Sequence, residues 1–368
     1  MLEVKNKDIR TALNNVFAEM LKKGAVDAIL VPVETPTGTN VVQTLVKNAD
    51  KLVGVDPNAL APVMPVNSAK IISEMTRLGA SKKKIAVVLK PCEIRALVEL
   101  SKLKQANLEN IVVIGVDCFG TYYVKDYAEM ASKGKSPTAE VLKSFKEGKE
   151  DTRIACRVCE YFVPENADIT IGLIGTDAER GILISGNTEE GKKILEKTGI
   201  KSDELKRDDA VSKLASARIK KRDELFEKTQ KEVSGWDNLV SVFSTCIGCH
   251  NCMTVCPICY CKECFFESPT FEEEADSFLR RAGKRGLMRM PADTLLFHLT
   301  RMNHMCLSCV GCGMCEQACP SSIPLTKIFR TVGHNAQKIF DYVPGRSKDE
   351  KPPLTTFKED ELKGVGEE

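Results

Sequence analysis

The sequence has little of what would send it into a membrane, out of the cell or onto nucleic acid. No stretch approaches the roughly 20 apolar residues that a spanning helix needs. The N-terminus, MLEVKNKDIR, is charged and lacks the apolar centre of an export signal. Formal net charge is only +2 at pH 7 over 368 residues, so no strong field favours nucleic acid or anionic lipid. There are four histidines, too few to supply most of the ligands of several metal centres. The dinucleotide fingerprint G-x-G-x-x-G is missing, which leaves an ordinary Rossmann site unsupported. These absences point to a cytoplasmic protein without a membrane span and without a nucleic-acid partner.

Cysteine is what the sequence has in excess, with 16 residues. A secreted disulfide scaffold would be smaller and would follow an export signal, so the cysteines read as thiolate ligands. Cys246, Cys249, Cys252 and Cys256, followed by Pro257, spell C-x2-C-x2-C-x3-C-P. Cys309, Cys312, Cys315 and Cys319, followed by Pro320, repeat it. Three closely spaced thiolates wrap one face of a cubane 4Fe-4S cluster, and the fourth, before proline, reaches the other cluster in two-cluster ferredoxins. Zinc is the alternative, but it usually takes two separate pairs of ligands.

Cys306 lies just ahead of the second motif and is surplus to it. With Cys259, Cys261 and Cys264 of PICYCKEC it makes a leftover set of four, a candidate further cluster. Buried apolar filling is the plainer reading of these four.

Apolar runs and helical spacing alternate along residues 1 to about 185. Ile9, Leu13, Val16, Phe17, Met20 and Leu21 share one helical face. AILVPV, KIAVVLKPC, NIVVIGVDC, DITIGLIG and GILISG read as short strands, the first over Ala28–Val33. NSAKIISEMTRLG starts at a cap, Asn67 or Ser68, and Glu93–Gln105 is expected as a helix. This alternation predicts an α/β layer on a mixed sheet. Residues 188–233 read as two charged surface helices, and Ser234-Gly235 as a joint. The expected domains are 1–235, then 236–332 with mainly helical structure, then an extended tail over 333–368. Leu295, Leu296, Leu299 and Met302 are expected to form the apolar face of a helix ahead of the second motif. Arg280–Met290, RRAGKRGLMRM, reads as a solvated face, with docking of an acidic partner as the alternative.

The second half, roughly residues 240–330, resembles the α-helical ferredoxin domains of succinate dehydrogenase iron–sulfur subunits and of the heterodisulfide reductase iron–sulfur subunit. Its two motifs stand about fifty residues apart, with a helical stretch between them, which carries that resemblance.

Four further cysteines occupy the first half. Cys92 in KPCEIRAL and Cys118 in GVDCFGTY each follow a strand, on loops at the carboxyl edge where α/β sheets hold ligands. Cys156 and Cys159 form a C-x2-C pair. Together they make a candidate third quartet. C-x2-C followed by ADITIGLIG, and KPCEIRAL, resemble the beta subunits of coenzyme F420-reducing hydrogenase and of formate dehydrogenase, over about residues 1–230. The resemblance implies an electron-transfer subunit that binds FAD and exchanges hydride with a soluble carrier, F420 or, as the rival, NAD(P)H. Its partners would be the alpha subunit of a formate dehydrogenase, a hydrogenase or a heterodisulfide reductase. A flavin also suits the chemistry, because hydride brings two electrons and a cluster accepts one. Lys90, Glu93 and Arg95 flank Cys92 and are the candidate cofactor contacts. The alternative is a flavin-free iron–sulfur relay.

Overall fold

Runs of four to seven mostly apolar residues become six strands of one seven-stranded mixed sheet, completed by a two-residue edge strand, with strand order β1-β7-β6-β5-β4-β2-β3. The strands are β1 (Leu2–Glu3), β2 (Ala28–Glu34), β3 (Val41–Val46), β4 (Ile85–Leu89), β5 (Ile111–Val116), β6 (Ile169–Gly172) and β7 (Gly181–Gly186). This is a computed structural model, and it describes residues 2–4, 8–55, 57–149, 151–177, 180–204, 206–356 and 359. Strands β2, β4, β5 and β6 run parallel, while β3, β7 and β1 join antiparallel on the flanks. Every residue of β4 and β5 is buried, as befits strands covered on both faces. Their register sets Ile85 opposite Ile111 and Leu89 opposite Gly115, so both strands end level. Cys92 and Cys118 thus emerge side by side at the carboxyl edge.

The helices follow their caps. Asp8 accepts from Thr11 N ahead of Ile9–Lys22, and Asn67 from Ala69 N ahead of Ser68–Thr76. The helix expected from Glu93 begins two residues earlier, at Pro91, because proline lacks only an N–H that the first turn leaves unpaired. Glu189–Thr198 and the 26-residue Asp208–Val233 are the charged helices.

Beyond Gly235 (φ +85°) the chain is helical, through Trp236–Val242, Ala275–Arg285, Thr294–Met305 and Leu325–Ile339. Phe243, Phe266, Phe297, Met302, Ile328 and Phe329 pack around the cysteines in a core of their own. Two expectations are corrected here. The inward face of Thr294–Met305 is Phe297, His298, Arg301, Met302 and Met305, whereas Leu296 is 52% exposed and Leu299 is exposed too. Second, the segment from 333 does not begin as an extended tail. It begins inside Leu325–Ile339, where Gly333 packs so close to the Cys306 carbonyl that a Cβ would lie 3.0 Å from it. Residues from 340 then dock on the first layer, and residues 360–368 lie outside the described ones. No described helix is long and apolar enough to cross a membrane.

Polar groups fasten the two halves. Buried Glu99 accepts from Tyr342 Oη and from Gly345 N at 2.8 Å, and pairs with Lys102 at 2.6 Å. Glu160 pairs with Arg222 and Arg330, both at 2.9 Å, and so ties Asp208–Val233 to Leu325–Ile339. Burial works against the Glu160 charge, but Arg330, hydrogen bonds and Arg222 outweigh it and bring its pKa down to about 2. A carboxylate with a depressed pKa stabilises the fold above its ordinary pKa, and that contribution fades as pH falls towards the folded value. Glu160→Gln is therefore expected to remove about 3 kcal/mol near pH 7 and to flatten the loss of stability between pH ~4.5 and ~2. Urea titrations across that range measure it. An acid limb as steep as the wild type's would refute it.

Candidate functional site

Four cysteines from three separate segments meet at the carboxyl edge of the sheet. Cys92 opens the helix after β4, Cys118 follows β5, and Cys156 and Cys159 belong to the short turn around Ile154–Arg157. They border one cavity of about 30 Å³, together with Lys90, Thr121, Arg153, Arg218 and Cys312. Burial pushes the Cys92, Cys118 and Cys159 thiols up, Cys118 to about 12. At Cys156 burial is outweighed by the Arg153 guanidinium and by the Thr121 N–H and hydroxyl, 3.3 and 3.4 Å from its Sγ, so its pKa is lowered. Arg153 also donates to Thr121 Oγ1 at 2.9 Å and to the Cys312 carbonyl at 3.4 Å, bridging to the second half.

The eight motif cysteines divide crosswise. Cys246, Cys249 and Cys252 of the first motif border a cavity with Cys319 of the second. Cys256, the last of the first motif, instead stands with Cys309, Cys312 and Cys315, close enough for its charge to raise each of their pKa values further after burial. Backbone geometry makes this possible. Gly313 has φ +72°, and a Cβ there would lie 2.5 Å from that of Ala155. Only glycine lets the Cys312–Cys315 turn both form and lie against the first layer. Among the described residues no three His, Cys, Asp or Glu side chains are near enough to share one metal ion. The first quartet and the Cys246, Cys249, Cys252 and Cys319 quartet each border a space rather than a point, which suits a cluster's faces.

Residues 82–213 match the family model for the C terminus of the coenzyme F420 hydrogenase/dehydrogenase beta subunit, and residues 242–323 match a 4Fe-4S dicluster domain. The chain is 31% identical to the F420-dependent formate dehydrogenase 1 subunit beta of Methanococcus maripaludis, across 93% of this chain and 92% of that one. It belongs to the coenzyme F420 hydrogenase/dehydrogenase beta-subunit family. A second relative, the F420-dependent formate dehydrogenase subunit beta of Methanocaldococcus jannaschii, is 29% identical across 93% of both chains. A chain in the F420-reducing NiFe hydrogenase complex of Methanosarcina barkeri is 15% identical, with TM-score 0.45 over 64% of this chain and 92% of that one.

In this family member, Arg301 fills a place that sequence reasoning missed. Its guanidinium is 3% exposed, and none of its nitrogens makes a well-formed hydrogen bond among the described residues. An unpaired buried cation is costly. Here the Cys252, Cys256, Cys315 and Cys259 thiols surround it, members of both ferredoxin quartets included, and raise its pKa against the pull of burial. Anionic thiolate-held clusters are the counter-charge that its position calls for. His298 is buried alongside, with Nε2 3.4 Å from Cys246 Sγ and its ring stacked on Phe243. Burial and then the Arg301 charge lower its pKa to about 4, so it stays neutral.

Two of the three candidate cofactor contacts are engaged by other parts of the fold. Glu93 is buried and accepts from Ser68 N and Lys90 N, both at 2.9 Å, and from the Ser68 hydroxyl, which caps the helix. Arg95 donates to the carbonyls of Pro344 and Val310 and stacks 3.8 Å over the Tyr161 ring. Both are spent on the fold, and only Lys90 borders the quartet.

The leftover cysteines also do not form the expected set. Cys259, Cys261 and Cys264 border a cavity of about 640 Å³ with Lys70, Tyr260 and Arg301. The Cys259 thiol lies 3.0 Å from Met305 Sδ, and that of Cys264 lies 3.5 Å from Met253 Sδ. Cys306 is absent from that wall. Gln337 holds its carbonyl, at 2.7 Å, on the side of Leu325–Ile339, and its thiol faces the Asn303 carbonyl.

Cys319→Ala is expected to abolish the same electron paramagnetic resonance signal as Cys249→Ala, and Cys256→Ala the same signal as Cys309→Ala. Pairing by motif instead would overturn the crossed grouping. Arg301→Gln is expected to make both ferredoxin centres harder to reduce, since a buried cation favours the added electron. Arg301→Lys should restore part of the effect, and potentials unmoved by either variant would count against Arg301.

Proposed function

We propose that this chain is the electron-transfer subunit of an F420-linked oxidoreductase complex of the formate dehydrogenase type. The observation that carries the proposal is the spatial order of the three quartets. Cys92 of the first lies near enough to Cys312 of the second for their charges to interact. The second quartet holds Cys256, which shares Arg301 with Cys252 of the third. Each quartet offers four thiols, the ligand set of a 4Fe-4S cluster. Raised thiol pKa values mean that loading such clusters releases protons, and the buried arginines hold positive charge where thiolates then form. The family and both relatives favour F420 over NAD(P)H as the soluble hydride carrier, and the two relatives favour a formate dehydrogenase alpha subunit over a hydrogenase or heterodisulfide reductase as the partner.

FAD belongs to the proposal. A flavin, when bound, supplies the conversion between a hydride's electron pair and single electrons. The residues fit it at the cavity of about 640 Å³, which lies in the range for small-molecule sites. Phe265, Phe266 and Tyr260 give apolar faces for a ring system, while Lys70 gives a cation for a phosphate. This site replaces the space beside Lys90, which is too small.

A flavin-free relay remains the rival reading. The observation in its favour is that Glu93 and Arg95 are committed to the fold, while three thiols border the larger cavity.

The protein purified without oxygen decides between them. We expect one FAD and about twelve irons per chain, from three quartets of four. Reduced F420 should bleach the flavin and cluster absorbance, and NADH should not. Leu103 lines the larger cavity, so Leu103→Trp should fill it, lower flavin content and leave iron unchanged. Protein that holds its iron but neither contains nor rebinds flavin supports the relay. About sixteen irons would instead assign a cluster to Cys259, Cys261 and Cys264.

A further inference from the structure

We propose that the Ala275–Met290 segment is the docking face for an acidic protein subunit that exchanges electrons through the Cys246 quartet. This inference rests on the electron-transfer reading above and adds the surface and the partner's chemistry.

The first observation is a helix without a core. Ala275–Arg285 has 11 residues and buries none of them. Isolated helices shorter than ~12–15 residues are marginal in water, so this one needs a partner. Its apolar side chains continue into the following segment. Leu279 is 68% exposed, Leu287 75% and Met290 58%. Exposed apolar residues gathered in this way mark an interaction surface.

The second observation is charge. Arg280, Lys284, Arg285 and Arg289 make no ion pair among the described residues, and Arg281 alone pairs, with Glu273. Glu272, Glu274 and Asp276 lie at the N-terminal end. The C-terminal turns therefore present only cations around an apolar strip. That is the pattern of an interface with an apolar centre and a charged rim, and it selects a partner with carboxylates at its own rim.

The third observation places this face beside a redox centre. Pro291, next to Met290, lies against Gly248, 3.4 Å from where a Cβ would stand. Gly248 belongs to the Cys246–Cys249 loop, where Ile247 is 63% exposed. Among the twelve quartet thiols, Cys249 is the one exposed. Electron tunnelling weakens steeply with distance, so a partner's centre can approach most closely here. A partner seated on Leu287 and Met290 would cover Ile247 as well.

The test uses the native complex and the isolated full-length chain, treated in parallel. Acetylation of Lys284 is expected to fall at least tenfold in the complex. A zero-length carbodiimide should join Lys284 to an Asp or Glu of another subunit. The triple variant Arg280→Glu, Lys284→Glu, Arg285→Glu should lose at least tenfold of its retention in the complex and keep its iron and flavin. Lys284 equally reactive in both samples overturns the proposal. Linkage of Lys284 to a second copy of this chain, or retention of the triple variant at the wild-type level, overturns it too. Loss of Lys284 reactivity through binding to vesicles of anionic phospholipid, without any protein cross-link, also overturns it. A wild-type chain free of iron would sink the electron-transfer reading itself, a failure visible before any cross-linking.

Discussion

The structure is governed by the need to hold many potential negative charges in a dry interior. Thiols that bind iron must be deprotonated, and burial opposes this at nearly every quartet position. The fold answers with cations that are themselves buried. Arg153 and Arg218 border the first quartet. Arg301 stands between the other two. Each guanidinium alone would be a liability, and each is acceptable where thiolates supply the opposite charge. The same pairing explains why Thr294–Met305 turns His298 and Arg301 inward and leaves Leu296 and Leu299 to solvent.

That constraint also joins the two halves of the chain. Arg153 reaches from the Cys156 turn to the Cys312 carbonyl, Arg330 from Leu325–Ile339 to Glu160 and the Val158 carbonyl, and Arg95 from behind Cys92 to Val310 and Pro344. The quartets are therefore positioned by contacts between halves. A small shift at this seam would change the spacing between the first and second quartets, on which electron transfer depends.

Much of the fold was legible in the chain. Strands and the Asn67 cap followed from apolar runs and from an Asn ahead of helical spacing, because these signals act within a few residues. The eight motif cysteines stood out for the same reason, since a cluster's size sets the spacing of its ligands, whereas Cys92 and Cys118 stood out only by their place after strands. Periodicity failed at Thr294–Met305, where a counter-charge mattered more than apolar burial. Composition failed at 333, where Gly, Pro and charge suggested a tail but Gly333 lets the helix pass close under Cys306. Glu93 and Arg95 looked like cofactor contacts from their place beside Cys92. What commits them to the fold, Ser68 and Pro344, lies 25 and 249 residues away.

The sequence by itself determined the ligand type, the number of motifs and the α/β then helical order of the chain. These depend on thiolate chemistry and on local spacing. Only the tertiary structure decided that Cys306 parts from Cys259, Cys261 and Cys264, and that Arg301 lies inside. Each of these depends on which distant segments share one small buried volume. Spacing along a chain cannot specify that, because the choice is made by packing and by the balance of charge once water is excluded.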